Sequence, residues 1–348
     1  HSFHSAQWDA SVALAGKRVG VIGTGASAVQ FVPHVADQAA ETTVFFRTVP
    51  WLLPTPLLLQ KVEDSQRWLM EQVPNYIQWH RLFTFVPQCI GFLEQATVDP
   101  DYPPTERAIS ASNDLVRQGL SAWVDAQIAD RPDLRPFLIS DSPPGSKRLP
   151  RDDGRWIATL KRGDVRAVHE KIDRITARGI RTADGTEHAF DVILYGTGFK
   201  ASEFLMPMQV SGENGRDLHA DWNGDARAYL GASVEGYPNL FCLYGPNTNL
   251  VLHGASIIFI SECGANYVLE GVRALLQRRA RSLRVKPEVY RSYNERLDEA
   301  NRHRAWGFSA VNSWYKNSKG RVTQNWPFTA LELWRRTRAL DANDYDFH

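Results

Sequence analysis

The sequence has few cysteines, almost no net charge and no long apolar run. Its three cysteines, Cys89, Cys242 and Cys263, are an odd number without CxxC spacing, so neither a disulfide framework nor a zinc site is predicted. A formal net charge of +1 gives no field that would gather nucleic acid or anionic lipid. No stretch approaches the roughly 18 apolar residues that a membrane span requires. We therefore expect a cytoplasmic protein with neither a nucleic-acid nor a membrane partner.

The composition that is present is typical of a globular protein. The 348 residues leave room for about two domains of roughly 150 residues each. Hydrophobic residues make up 43% and charged residues 23% of the chain, which is close to the average for folded proteins. This composition excludes a disordered chain and a collagen-like one.

Residues 16–46 carry the pattern of a strand, a tight turn, a helix and a second strand. The apolar run at 16–23 ends in glycine, and 42–46 is β-branched and aromatic throughout. Between them, residues 26–40 predict a helix despite Pro33. This order predicts an α/β unit.

The rest of the chain alternates between helical and extended patterns. Aromatic-rich segments with helical spacing between 57 and 129 predict a helical insertion. Beyond the insertion we predict strands at 165–168, 172–176, 180–182, 190–195 and 240–244, and helices at 256–277 and 287–302.

A glycine-rich turn lies between the first predicted strand and helix. The GxGxxA segment consists of Gly23, Thr24, Gly25, Ala26, Ser27 and Ala28. In dinucleotide-binding folds the first glycine permits the tight turn, the second admits a pyrophosphate, and a small third residue keeps the helix close to the strand. The segment predicts a dinucleotide site, with a glycine turn that binds no ligand as the alternative. The nucleophile elbow of hydrolases needs a further glycine after Ser27, and its absence argues against a hydrolase.

Arg47 and Thr48 follow the second predicted strand. An acidic residue at this point would accept the ribose hydroxyls of NAD, whereas a guanidinium suits a 2′-phosphate. The sequence therefore favours NADP over NAD, with a solvated strand end as the alternative. At the chain start, His1 and His4 have no third metal ligand nearby, so we predict no metal site and a frayed first segment.

Further motifs occur in the order of one known family. His4–Asp9 looks like the second half of the FxGxxxHxxxW[PD] fingerprint of Baeyer–Villiger monooxygenases, a group of class B flavoprotein monooxygenases. The likeness continues through Arg47–Trp51, Gly145–Arg148, Tyr195–Phe199, Gly236–Phe241, Gly245–Asn249, Ser313–Asn317 and Gly320–Thr323. The chain thus resembles this family over nearly its whole length. Residues 261–263 and the tail are most similar to the 4-hydroxyacetophenone monooxygenase branch.

The resemblance implies an α/β flavoprotein fold with two Rossmann-like domains, one for FAD and one for NADP. An NADP-binding domain is implied at 10–56 and 140–195, a helical insertion at 57–139, and the C-terminal part of the FAD-binding domain at 196–348. The implied activity uses NADPH, FAD and O2 to insert one oxygen atom into a small-molecule ketone, giving an ester, through a C4a-peroxyflavin.

The matching motifs also imply roles for single residues. Arg148 matches the active-site arginine, whose cation stabilises the negatively charged peroxyflavin, and Lys147 matches the lysine that binds the NADP 2′-phosphate. Without the family, these two would more simply be a solvated basic pair. Trp314 matches a tryptophan near the nicotinamide ribose, with a core aromatic as the alternative. The remaining cofactor-binding positions are Gly196, Thr197 and Gly198, at the crossing between the nucleotide domains, and Asn247 and Thr248, near the isoalloxazine ring.

One part of the family pattern has no counterpart in the sequence, namely the N-terminal FAD segment with its own GxGxxG turn. We therefore expect an incomplete FAD domain, with a partner chain as one source of the rest. The alternatives are an N- or S-oxygenating flavin monooxygenase, a catalytically incomplete NADP-binding fragment, or one half of a split enzyme. The half-fingerprint at His4–Trp8 argues against heteroatom oxygenation.

Overall fold

The computed structural model describes residues 1–89, 92–103, 105, 107–253, 256–308 and 310–348, without the side chains of residues 85–89. The strands are β1 (Ser2–His4), β2 (Arg18–Ile22), β3 (Glu41–Phe45), β4 (Leu53–Pro54), β5 (Arg151–Asp152), β6 (Val165–Val168), β7 (Ile172–Ile175), β8 (Gly179–Thr182), β9 (Glu187–Ala189), β10 (Val192–Tyr195), β11 (Leu283–Val285) and β12 (Tyr345–Phe347). The α-helices are α1 (Ala26–Ala36), α2 (Asp64–Gln72), α3 (Tyr76–Cys89), α4 (Phe92–Gln95), α5 (Ala111–Gln127), α6 (Arg155–Leu160), α7 (Leu218–Trp222), α8 (Ile257–Arg278), α9 (Pro287–Arg302) and α10 (Ala330–Thr337).

A five-stranded parallel sheet organises the first half of the chain. Its strand order is β1-β10-β2-β3-β6, and every neighbouring pair is parallel. The chain runs from β2 to β3 on one side, while β10 flanks β2 on the other. The strand order therefore reverses at β2, and ligands of open α/β sheets bind outside the carboxyl ends of the strands at such a point. The predicted α/β class is confirmed.

Alternate residues of the central strands face two different layers. Val21 and Val44 are fully buried in one cluster with the side chains of α1 and α6. Phe45 and Ile193 face the opposite way and pack with Ile180 of the antiparallel sheet β7-β8-β9. The parallel sheet is thus covered on both faces, and only the ends of its strands are open to a ligand.

The second half of the chain is built mainly from helices and loops. Apolar side chains of α8, α9, α10 and the antiparallel pair β11-β12 share one core cluster. The predicted helices at 256–277 and 287–302 are confirmed as α8 and α9. Ser256 caps α8 by accepting a hydrogen bond from the backbone N–H of Phe259 at 3.1 Å.

The segment predicted as a helical insertion contains α2, α3, α4 and α5, and its extent as a separate insertion stays a prediction. Its first two helices are amphipathic, but their apolar side chains are largely exposed: Trp68 is 58% and Trp79 57% exposed. Helix α5 instead buries Leu120 and Val124, and Val124 belongs to the core of the parallel sheet. None of the helices in the described parts of the chain has the length and apolarity to cross a bilayer.

Three expectations from the sequence are wrong. Residues 240–244 form no strand in the described structure, where Phe241 makes a single bridge to Ser233 and Tyr244 has a φ of 54° that ends any extended run. The chain start is not frayed, because β1 pairs with β10 along the sheet edge. The helix predicted at 26–40 begins at Ala26 as predicted, but its end is wrong, because it stops at Ala36 and the chain turns at Asp37 toward β3. The sequence patterns also did not reveal β9, α10 and the β11-β12 pair.

Candidate nucleotide-binding site

The glycine turn after β2 is required by its backbone geometry. Gly23 has a φ of 111°, and a Cβ atom added there would lie 2.4 Å from the carbonyl oxygen of Gly196. Any side chain at this position would therefore be strained and would displace the neighbouring loop. Gly25 differs, because it has an ordinary φ of −72°, begins α1 as its N-cap and has open space where a Cβ would stand. The space beside Gly25 leaves room for a phosphate at the helix N-terminus.

The predicted crossing segment lies beside this turn. The backbone N–H of Gly196 donates to the carbonyl oxygen of Ile22 at 2.8 Å. A Cβ at Gly196 would stand 3.3 Å from that oxygen and 3.5 Å from the buried Cβ of Ala28, so glycine fits here better than alanine. Thr197 and Gly198 continue outward as exposed residues. The structure thus brings Gly23–Ala28 and Gly196–Gly198 together at the carboxyl ends of β2 and β10.

Thr24 connects the glycine turn to the segment after β3. Its Oγ1 donates to the carbonyl oxygen of Thr48 at 2.7 Å. This hydrogen bond fixes the backbone beside Arg47, whose own side chain is exposed. The sequence could not have assigned this role to Thr24, because the partner atom belongs to a different loop.

A cavity of about 570 Å³ opens beside these loops. It is lined by Arg47, Thr48, Asp141, Ser142, Lys147 and residues 310–314. Arg47, Lys147 and Trp314 come from three distant parts of the chain. All three were expected to contact NADP, and the structure places them on the wall of one cavity.

Lys147 is half-buried beside two other charges. Burial lowers the pKa of the Lys147 ammonium, Asp141 opposes that shift, and Arg47 lowers the pKa further. These effects put the two cations and the one carboxylate within electrostatic reach of each other. Neither Arg47 nor Lys147 forms a salt bridge within the described residues. Two cations without salt-bridge partners among the described residues can hold an anion such as a phosphate between them, and we call this place the anion site.

The loop that carries Lys147 is held by hydrogen bonds to its backbone. The indole N–H of Trp51 donates to the carbonyl oxygen of Ser142 at 2.6 Å. The Asn113 amide donates to Pro144, and the buried Ser146 hydroxyl donates to Pro143 at 2.6 Å. This loop is therefore anchored to the helical insertion and to the segment after β3.

Trp314 presents its ring to solvent at the cavity, with 42% of its surface exposed. Behind it lies the fully buried ring of Tyr315, and the centroids of the two rings are 4.5 Å apart.

The Lys316 ammonium donates to the carbonyl oxygens of Phe308 and Val311, both at 2.8 Å. Lys316 thus closes the loop that shapes this wall of the cavity. Lys316 lies in the motif Ser313–Asn317, but the sequence analysis gave it no role of its own.

Arg148 does not line the cavity that contains Lys147. Its exposed side chain lies near the phenols of Tyr244 and Tyr315. Burial raises the pKa of both phenols, and the Arg148 charge partly reverses the shift. These two residues are adjacent in the sequence but lie in neighbouring regions. Lys147 lines the cavity, whereas Arg148 lies near the two tyrosines.

Asn247 and Thr248 are buried, and their side chains bind other parts of the protein. The Asn247 amide donates to the carbonyl oxygens of Val322 and Asn325, and its Oδ1 accepts from Arg321 at 3.1 Å. The Thr248 hydroxyl donates to Gly245 at 2.8 Å. These bonds fix the loop itself, so a cofactor contact at either position would involve the backbone. The prediction that they bind FAD remains untested.

Asp141 is the charged cavity residue that the sequence analysis missed. Its signal was its position six residues before Lys147 in a loop rich in serine and proline, which is too common to single out a residue. In the described chain, no group of three or more His, Cys, Asp or Glu side chains could hold a metal ion.

Comparisons with known proteins agree with this architecture. No family model matches the chain. It is 35% identical over 346 residues to "FAD-binding monooxygenase ktnD" of Aspergillus niger, covering 98% of this chain and 54% of the relative. It is 32% identical over 356 residues to a "Baeyer-Villiger monooxygenase" of Pseudomonas aeruginosa, covering 99% of this chain and 62% of the relative. The chain thus spans about half to two thirds of these relatives.

A solved structure of oxidized steroid monooxygenase bound to NADP has the same fold. It superposes with a TM-score of 0.77 at 24% identity, over 99% of this chain and 70% of that one. The relatives carry the matched region within a single longer chain, which gives no support to a separate partner chain for the rest.

Proposed function

We propose that this chain is the NADPH-binding part of a monooxygenase that converts ketones to esters, because it belongs with the Baeyer–Villiger and FAD-binding monooxygenases along nearly its whole length. The full-length protein would use NADPH, FAD and O2. The named relatives do not favour the heteroatom-oxygenating alternative.

The observation that carries the proposal is the pairing of Arg47 and Lys147 in one cavity. Residues that are 100 positions apart supply the two cations, and Thr24 and the loop at 142–147 hold them by hydrogen bonds. A 2′-phosphate carries close to two negative charges at neutral pH and matches such a pair. This pairing supports NADP over NAD.

The other residues at the cavity extend the same interpretation. We assign the pyrophosphate to the N-terminus of α1 beside Gly25, where backbone N–H groups and open space coincide. We assign the nicotinamide ribose to Trp314, whose exposed ring rests on Tyr315. Gly196–Gly198 would border the dinucleotide where the two glycine loops meet.

FAD, when bound, supplies the oxygen chemistry of the reaction. We assign FAD to the full-length protein, in which residues 196–348 would supply part of its binding domain. Arg148, an exposed cation beside two phenols, would stabilise negative charge on the reacting groups.

We propose a division of the chain into an NADP domain at 10–56 and 140–195, an insertion at 57–139 and part of an FAD domain at 196–348. Buried free thiols at Cys242 and Cys263 support a reducing, cytoplasmic location.

The cofactor assignment is tested by calorimetric titration of the 348-residue chain with NADP⁺ and NAD⁺. We expect tighter binding of NADP⁺, and Arg47→Ala should weaken it by roughly 1.5 to 3 kcal/mol, the size of a charged hydrogen bond. Arg155→Ala, an exposed arginine at the start of α6, is the control. Unchanged NADP⁺ affinity in Arg47→Ala would remove this residue from the site.

The reaction is tested in the full-length protein by following NADPH consumption, hydrogen peroxide and ester together. Arg148→Ala should retain flavin reduction but lose ester formation by about a hundredfold or more, since a preorganised cation is removed. Arg148→Lys should restore part of the rate, because a point charge lacks the planar guanidinium. Ester formation at the parent rate in Arg148→Ala would contradict the assignment.

A further inference from the structure

The anion site contains a carboxylate that a phosphate pocket does not need. Asp141 lines the same cavity as Arg47 and Lys147, and its charge reaches the Lys147 ammonium. With one carboxylate against two cations, the formal charge of this group is +1 rather than +2. A ligand with a 2′-phosphate therefore meets both attraction and repulsion.

The Asp141 carboxylate has no protein partner to occupy it. Within the described residues its oxygens accept no hydrogen bond and form no salt bridge. Two surface aspartates illustrate the paired state: Asp125 binds Arg135 at 2.9 Å, and Asp133 binds Arg131 at 2.8 Å. Asp141 is exposed at the cavity wall with its full acceptor capacity unused.

A free carboxylate at this place has a definite chemical use. Vicinal ribose hydroxyls donate hydrogen bonds to a carboxylate, as they do to the acidic residue of NAD-binding sites. The same carboxylate repels a phosphate that replaces the 2′-hydroxyl. Thr48 and Ser142 line the same wall and contribute no charge of either sign.

We infer that Asp141 limits the selectivity of this site for adenine nucleotides with a 2′-phosphate, by binding the free ribose of unphosphorylated nucleotides and opposing the phosphate of the others. The inference rests on the proposed function, because it assumes that the adenosine ribose occupies this cavity. It adds a residue that acts against Arg47 and Lys147, so that the site accepts both nucleotide classes.

The test compares two ligands that differ only in the 2′-phosphate. Adenosine 2′,5′-bisphosphate and adenosine 5′-monophosphate are titrated calorimetrically into the 348-residue chain and into its Asp141→Asn, Asp141→Glu and Asp173→Asn variants. Asp173 is an exposed aspartate of β7 and serves as the charge-matched control. Each titration is repeated at low and high salt, because a repulsion between exposed charges is screened by ions.

Asp141→Asn should bind the bisphosphate about three- to tenfold more tightly and the monophosphate about two- to fivefold more weakly, as expected for removing one charge beside the ligand. Asp141→Glu should keep a ratio near that of the parent, and the effect should shrink at high salt. A ratio of affinities that is the same in Asp141→Asn and the parent overturns the inference.

Failure of the proposed function has a different signature. In that case the parent chain would not prefer the bisphosphate, and Arg47→Ala would leave both affinities unchanged. A parent that prefers the bisphosphate through Arg47, with no response to Asp141→Asn, would retain the function and reject only the role of Asp141.

Discussion

Residues 1–195 are ordered by backbone ladders, whereas residues 196–348 depend on buried polar side chains. In the first half, five parallel strands and a three-stranded antiparallel sheet pair their backbone groups along regular elements. In the second half, within the described residues, one two-stranded pair is formed, and long loops lie between the helices. Buried loops need partners for their polar backbone groups, and side chains supply them here.

Buried asparagines are the main partners in the second half. Asn247, Asn249, Asn301 and Asn325 are each at most 4% exposed. Asn249 donates to the Asn325 side chain at 2.7 Å, while Asn247 and Asn301 both donate to the Asn325 backbone. The loops at 245–249 and 322–326 are therefore fixed by each other rather than by local sequence.

The difference shows where ligand contacts can come from. The loops of the first half leave cations and glycine backbone open at the strand ends. The loops at 245–249 and 322–326 use their asparagine side chains for internal hydrogen bonds, and the second half contributes to the cavity through residues 310–314. Breaking each type of support should therefore have separable effects on stability and on nucleotide affinity.

The largest expected effect follows from removing Arg321. Its guanidinium is 11% exposed and pairs with Asp298 at 2.7 Å and Asp225 at 3.3 Å, besides donating to Asn247. Arg321→Ala should lower the free energy of unfolding by about 3 to 5 kcal/mol, because two partly buried carboxylates then keep only Arg227 as a salt-bridge partner among the described residues and the carbonyl of Ala226 loses a donor. Urea denaturation provides the measurement.

An exposed ion pair is the matched control for this variant. Arg302 and Glu299 are adjacent on the surface of α9, with side chains 71% and 58% exposed. Arg302→Ala should change the unfolding free energy by less than about 1 kcal/mol. Equal losses in the two variants would mean that the side-chain network does not support the second half.

The next effect concerns pH. His253 is fully enclosed, accepts a hydrogen bond from the Val251 N–H at Nδ1 and lies 2.8 Å from the Phe328 carbonyl at Nε2. Burial lowers the pKa of His253 from 6.5 to about 4. The unfolded chain therefore binds a proton that the folded chain does not, and stability present above pH 6.5 is lost as the pH falls toward 4.

Between pH 6.5 and 4, the titration of His253 should lower the free energy of unfolding by roughly 3 kcal/mol. His253→Gln retains an amide donor for Phe328 but cannot titrate. Its unfolding free energy should therefore be lower than that of the parent at pH 7 and should decline less between pH 6.5 and 4. Parallel pH profiles for the two proteins would show that folding does not lower the pKa of His253.

A smaller effect separates folding from binding within the glycine turn. Gly23 has a φ of 111° and lies close to the Gly196 carbonyl, so the added methyl group of Gly23→Ala would be strained. We expect this variant to lower the free energy of unfolding by about 1 to 3 kcal/mol. Gly25→Ala has an ordinary φ and free space, so its stability should be near that of the parent. Its added methyl group would occupy the phosphate space and weaken NADP⁺ binding. Full NADP⁺ affinity in Gly25→Ala would place the pyrophosphate elsewhere.

The same contrast explains how much could be predicted from the sequence. The bounds of β2, β3 and α9 follow from local periodicity and capping residues, so the patterns predicted them closely. The strand expected at 240–244 was wrong because its conformation depends on the loops packed around it. The cations of the cavity follow strands or match motifs, whereas Asp141 and Lys316 act through partners that only the folded chain brings near.

The smallest effect distinguishes two tyrosines of the second half. Tyr244 donates its hydroxyl to Asn249 Oδ1 at 2.6 Å, which ties it to the asparagine network. The Tyr315 hydroxyl is completely buried and has no hydrogen-bond partner among the described residues. Removing the Tyr244 hydroxyl leaves the Asn249 side-chain oxygen without this donor. Removing the Tyr315 hydroxyl, which forms no such bond, removes only the cost of burying it.

Tyr244→Phe should therefore lower the unfolding free energy by about 1 kcal/mol, and Tyr315→Phe should leave it unchanged or raise it by up to about 1 kcal/mol. Urea denaturation at pH 7 measures both, and the two phenylalanine variants serve as controls for each other because the ring is retained in each. Since Tyr315 lies behind Trp314, nucleotide binding in Tyr315→Phe should stay at the parent level. A clear destabilisation by Tyr315→Phe would show that its hydroxyl has a bonding partner in solution, for which the nearby Arg148 guanidinium is the charged candidate.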